Sequence, residues 1–333
     1  MLISKLPISC CILFLILIQI NKWVLAETQS MGTWKQATTA PSYRTEVAAA
    51  AIEGKIYVVG GFNKPTLRNA LNFAISDIVE VYDTATNSWS VAASLPEGRH
   101  HAGVASLDGL LYVVGGFTKS LFSVWHAVST MYQYNPVTDK WRELAPMPTA
   151  RGALGVVVYQ NRLYAIGGYD GKHNSDAVEI FDPQTNNWSS APSMPTPRDH
   201  LAVVMAGGLI YAIGGRSELN YGRNMGTVEE YDPRTHLWRA RTSLPTPRSG
   251  ISAAVIGNWI YVVGGESKTG TFAINEAYHP ATDHWLTMTP MPTARHGSGS
   301  AVVNGQMYVI SGGPEPGGSF SAINEVFIAP ADQ

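Results

Sequence analysis

Residues 151–188, RGALGVVVYQNRLYAIGGYDGKHNSDAVEIFDPQTNNW, decide how this chain folds. They hold a β-branched run, a turn at Gln160-Asn161, an apolar run closing on Gly167-Gly168 and a polar loop. An alternating stretch, Ala177 to Phe181, follows, then a turn at Asp182-Pro183 that leads to Trp188. By period this is three strands and the start of a fourth, joined by turn chemistry. Such a sheet has two apolar faces and cannot bury either alone. It needs copies of itself.

The chain supplies them. The double glycine recurs at Gly60-Gly61, Gly115-Gly116, Gly167-Gly168, Gly214-Gly215, Gly264-Gly265 and Gly312-Gly313, and a tryptophan recurs at Trp34, Trp89, Trp141, Trp188, Trp238 and Trp285. From tryptophan to the next double glycine is 26 residues five times and 27 once, whereas the return interval varies from 20 to 28. The variable loop therefore follows the glycines. A period of about fifty with Gly-Gly, a tyrosine before a turn and a tryptophan resembles the kelch repeat. Six repeats in register carry that resemblance over nearly the whole chain, and it implies an all-β fold, a six-bladed kelch β-propeller.

Composition agrees. Charged residues make up 14% of the 333, with 32 glycines and 20 prolines, as many short buried strands and tight turns require. A formal charge of −2 gives no reason to expect nucleic-acid binding.

Residues 1–26 stand apart. Lys5 precedes an apolar run, Ile8 to Ile20, and Val24-Leu25-Ala26 suits a cleavage site, so a secretory signal peptide and an exported mature chain, periplasmic or secreted, are expected. The run is short for a membrane span, and none is expected in the mature chain. Cleavage would remove two lysines and no acids, taking the charge from −2 to −4, and would remove Cys10 and Cys11, leaving no disulfide framework. The propeller would then occupy 27–333. Ring closure must come from pairing: Trp34 belongs to a fourth strand with no first three before it, and Arg295 to Ile328 holds three strands without a tryptophan strand. The N-terminal strand should close the last blade.

Each blade is expected to start at an arginine, Arg44, Arg99, Arg151, Arg198, Arg248 or Arg295, so that the turns before the first strand and the loops between second and third strands share one face. In kelch propellers this face often carries the ligand site. A ring of arginines there could bind anions. Third-strand glutamates Glu80, Glu179, Glu229, Glu276 and Glu325 offer the competing reading, a structural ion pair in each blade.

Function is sought where the repeats disagree. Blade 2 has Tyr132 in place of the glutamate, so Arg99 lacks its expected partner; His100 and His101 follow it, and blade 1 has Glu46 at the matching position. The longest loops, in blades 1 and 2, carry Phe62, Leu67, Arg68, Phe73, Phe117, Phe122, Trp125 and His126. Aromatics in long loops suggest a binding rim, or a lid packed on itself. The ligand-binding set is therefore Arg99, His100, His101, Glu46, Arg68, Trp125, His126, Arg248 and Arg295.

Catalytic readings are narrower. Adjacent strand residues point to opposite faces, so His100-His101 is not expected to bind a metal. The copper-radical oxidases that share this architecture need a cysteine linked to a tyrosine, which the mature chain lacks. The Glu-x3-Asp-x3-His pattern of kelch specifier proteins fails at Glu266, Gly270 and Ile274. The exported sialic acid mutarotases, also six-bladed, resemble the chain more closely. They imply Glu266 as catalytic acid–base residue, but Phe272 stands where their arginine should be. Two functions follow: a binding module, expected to be monomeric and cofactor-free, for a protein segment or acidic glycan; or a mutarotase or epimerase for N-acetylneuraminate-like sugars.

Overall fold

A computed structural model describes residues 31–67, 74–121 and 123–331. Six antiparallel four-stranded sheets form the blades. Their innermost strands are Ala48–Ile52, Gly103–Leu107, Gly155–Tyr159, Ala202–Ala206, Ser252–Ile256 and Gly299–Val303. The sixth sheet takes its outer strand, Thr33–Gln36, from the other end of the chain, with Trp34 opposite Phe327 and Gln36 opposite Glu325. Closure is as the repeat pattern requires: the third strand of the sixth blade has an outer partner, as in the other five.

The repeated residues each join one blade to the next. Every signature tryptophan lies opposite a tyrosine or phenylalanine of its own third strand, such as Tyr82–Trp89 and Phe181–Trp188. Its indole N–H donates to a carbonyl of the preceding blade: Trp89 to Thr38, Trp188 to Ala145, Trp34 to Thr289. The double glycine meets the following blade. The Gly61 N–H donates to the Arg99 carbonyl, and a Cβ on Gly60 would lie 2.3 Å from that same oxygen. Gly60 also has a φ of +62°, so conformation and close approach both demand glycine.

All six signature arginines are fully buried. Each lies four residues before its innermost strand, not at its start as expected, because the intervening residues turn around the channel mouth. Arg151 shows the common arrangement. Its guanidinium donates to the carbonyls of Thr149, Ala165 and Gly167 and to the Glu179 carboxylate at 2.5 Å. Arg44–Glu80, Arg198–Glu229, Arg248–Glu276 and Arg295–Glu325 repeat it. The arginines are scaffold. Between blades the apolar strand faces form successive cores, for example Tyr57, Val59, Val81, Leu111, Val113 and Tyr134 between blades 1 and 2.

Candidate functional site

The two residues after each signature arginine bring the blades together at the channel mouth. The second of each pair, Glu46, His101, Ala153, His200, Gly250 and Gly297, has a φ between +53° and +63°. Backbone N–H groups link them in a ring: His101 to Glu46, Ala153 to His101, His200 to Ala153, Gly250 to His200 and Gly297 to Gly250. Val47 closes it on Gly297. Four of the six are not glycine. Left-handed backbone costs such residues about 1–2 kcal/mol each, a strain tolerated where the surroundings hold it and common at functional sites.

This turn explains why the expected alternation fails at His100-His101. Because His101 is left-handed, both rings turn the same way and their Nδ1 atoms lie 2.5 Å apart. His100 Nε2 donates to the Val124 carbonyl at 2.8 Å, so its Nδ1 accepts the proton-bearing Nδ1 of His101. Burial, and then His101, hold the His100 pKa well below its ordinary value. His101 Nε2 is left facing Glu46 Oε2 at 3.0 Å.

Further groups join from blades 4, 5 and 6. His296 Nε2 lies 3.2 Å from Glu46 and 3.5 Å from Glu266. Glu266 accepts from Arg216 Nη1 at 2.7 Å, and Arg216 Nη2 meets His200 Nε2 at 2.8 Å. His200 donates from Nδ1 to Asp199. His200 is neutral: burial and the Arg216 charge push its pKa down to about 4. Burial opposes ionisation of Asp199 and Glu46, but the hydrogen-bond donors and charges beside them prevail. His200 and Arg216 hold Asp199 below the usual range, and His101 and His296 hold Glu46 well below it. Burial likewise opposes charging His296, yet Glu46 and Glu266 raise its pKa.

Above this network is a cavity of about 240 Å³ with Glu46, His101 and Arg216 among its polar lining. Phe62, Trp125, Tyr221 and Phe320 wall it, and Arg216 stacks on Tyr221 at 4.5 Å. Tyr221 comes from a short 3₁₀ turn, Tyr221–Arg223, in the blade 4 loop.

A model described as "Kelch motif" matches residues 43–96, 98–148, 150–195, 197–245 and 247–292. The chain belongs to the kelch-repeat family. Kelch-like protein terF of Aspergillus terreus is 33% identical over 143 residues, 41% of this chain and 30% of the relative. Kelch-like protein 25 of Xenopus tropicalis is 38% identical over 132 residues, 38% of this chain and 21% of the relative. The matched stretch thus spans less than a third of either relative. Among solved structures, that of YjhT superposes with a TM-score of 0.74 at 20% identity, covering 88% of this chain and 97% of that one, a likeness of fold.

Within this kelch propeller the expected ligand-binding residues divide. Glu46, His101 and Trp125 line the pocket, and His100 backs His101 while stacked on Phe62 at 4.0 Å. Arg248 and Arg295 do not reach it, being buried in their ion pairs. Arg99 is not free either. It is buried, stacked over Tyr132 at 4.7 Å, bonded to Gly115 and Thr130, and 3.4 Å from Glu97. His126 is exposed, pairs in register with Thr118 and is not among the pocket-lining residues. Arg68, Phe73 and Phe122 lie outside the described residues. Glu266, which the mutarotase resemblance implies as the catalytic residue, belongs to the same cluster because His296 bridges it to Glu46.

Asp199, His200, Arg216, Tyr221, His296 and Phe320 were missed. A signal for four of them was present. The pairs after the signature arginines read Thr-Glu, His-His, Gly-Ala, Asp-His, Ser-Gly and His-Gly, and Arg216 and Glu266 directly follow a double glycine. These aligned positions are where the repeats differ in titratable groups.

Proposed function

We propose that the chain is an exported binding propeller that takes a neutral sugar residue of a glycan in the pocket at the channel mouth. The observation that carries this is the pairing of four aromatic walls with a floor of carboxylate and imidazole. Aromatic faces suit the C–H faces of a pyranose, and Glu46 and His101 suit its hydroxyl groups. The volume, about 240 Å³, lies below the roughly 300–1,000 Å³ of pockets for drug-sized ligands. It suits a monosaccharide-sized group. An acidic sugar fits less well, since Arg216 already faces Asp199 and Glu266. Leu67 and Leu121 are almost fully exposed in the loops of blades 1 and 2 and extend the surface toward a protein that carries the glycan. Export rests on residues 1–26 alone; intact mass of the purified native protein tests it.

The direct test is saturation-transfer NMR against neutral and acidic monosaccharides. Transfer to a neutral pyranose, lost in Trp125→Ala, supports the reading. Transfer to peptides alone overturns it.

A second reading, anomer exchange of the bound sugar, is favoured by the His296 imidazole set between two carboxylates. A group of raised pKa beside a depressed one supplies a proton donor and acceptor. Anomer-exchange rates by NMR, unchanged on adding protein, would remove it.

A further inference from the structure

Three donors from different blades converge below the pocket. His296 Nε2 stands 3.2 Å from Glu46 Oε1 and 3.5 Å from Glu266 Oε2, and one donor atom of each residue lies within 4.8 Å of the others. The other nitrogen of His296 settles its tautomer. Nδ1 lies 3.1 Å from the Gly313 carbonyl, which can only accept, so Nδ1 carries the proton. The Nε2 atom, fully buried and without a hydrogen-bond partner, is aimed between the two carboxylates. In the neutral imidazole that nitrogen presents a lone pair to two anions, an arrangement that calls for a cation between them.

Two of the donors, Glu266 and His296, are also held by a second contact. Glu266 accepts from Arg216 through Oε1 and from the Gly317 N–H through Oε2. The other oxygen of Glu46 faces His101 at 3.0 Å. Gly297, left-handed at φ +60°, leaves the space Glu46 occupies: a Cβ there would fall 2.6 Å from the Glu46 carboxylate carbon. Outer partners of this kind orient metal ligands. At bonds of about 2.0–2.2 Å, neighbouring donors of a tetrahedral or octahedral shell stand roughly 2.9–3.5 Å apart, the spacing His296 keeps from both carboxylates. Glu46 borders both the aromatic cavity and the central channel, so further coordination positions open toward a ligand.

We propose that Glu46, Glu266 and His296 hold one divalent transition-metal ion of the kind that takes mixed imidazole and carboxylate ligands, for which zinc is the probe. The imidazole argues against calcium or magnesium, which take oxygen donors. The competing arrangement is an ion pair with a proton on His296 Nε2 and no metal.

Chelator-treated full-length chain is titrated with zinc by calorimetry and with cobalt by visible spectroscopy, with no sugar present, so the outcome is independent of the glycan reading. The expected result is one ion per chain with a Kd of about 1 μM or tighter and cobalt ligand-field bands. His296→Ala and Glu46→Gln should each weaken binding by about tenfold or more. His284→Ala, beside Trp259 and Thr282 on the outer strand of blade 5, should not change it. If His296→Ala fails to fold, the wild-type stoichiometry and Glu46→Gln decide. Absence of stoichiometric zinc uptake, or uptake unchanged by Glu46→Gln, overturns the proposal and leaves the ion pair.

Discussion

Arg151→Ala and Arg99→Ala remove the same side chain from equivalent places in two blades, yet they should differ in cost. Both leave backbone carbonyls without a donor, at about 1–3 kcal/mol, so that part largely cancels. In blade 3 the substitution also strands Glu179, which is 4% exposed and keeps only the Thr149 hydroxyl. Breaking a buried pair this way costs about 3–5 kcal/mol. In blade 2 no third-strand carboxylate remains. Glu97, whose side chain is 46% exposed, returns to water, and a stack on Tyr132 is lost at about 0.5–2 kcal/mol. Arg151→Ala should therefore be the more destabilising by roughly 2 kcal/mol. The assay is urea unfolding followed by tryptophan fluorescence, with Arg151→Ala repeated in a Glu179→Gln background, where about 1 kcal/mol or more should return. Equal losses at the two positions, or no recovery in the double variant, would refute the ion-pair reasoning.

Further outcomes follow from the same structure. A chain expressed from Pro41 lacks the Thr33–Gln36 strand and the Trp34 indole bond to Thr289, and should aggregate or melt well below the intact protein; an unchanged midpoint by calorimetry would contradict the closure. Gly297→Ala should cost about 1–2 kcal/mol for its left-handed φ and, by displacing Glu46, weaken sugar binding measured by NMR titration more than its thermal shift suggests. Tyr221→Ala should weaken sugar binding by about 1–2 kcal/mol while leaving the melting midpoint within a few degrees, since its short turn buries no residue.

Blade count and closure were legible because the residues that specify them repeat. An indole that bridges blades and a glycine pressed on the next arginine must occur once per blade, and a strand left over at each end can only pair with the other. The site was legible in part. Glu46, His101 and Trp125 stood out as departures from the repeat. Arg99 misleads because the missing glutamate is not its only possible partner: Tyr132, Glu97 and the Gly115 and Thr130 carbonyls replace it. His100-His101 misled because the strand rule was applied to a left-handed turn. His296 bridging Glu46 to Glu266 brings together residues 220 apart in sequence, and ring closure, not local pattern, sets that contact.

Under the proposed function the ligand sits in the aromatic pocket above Glu46. The most direct measurement is the binding isotherm of the saccharide that wild-type protein retains best, repeated with Trp125→Ala and Glu46→Gln. Both variants should lose about 2 kcal/mol or more of binding while remaining folded. Undiminished affinity in both would place the ligand elsewhere on the propeller.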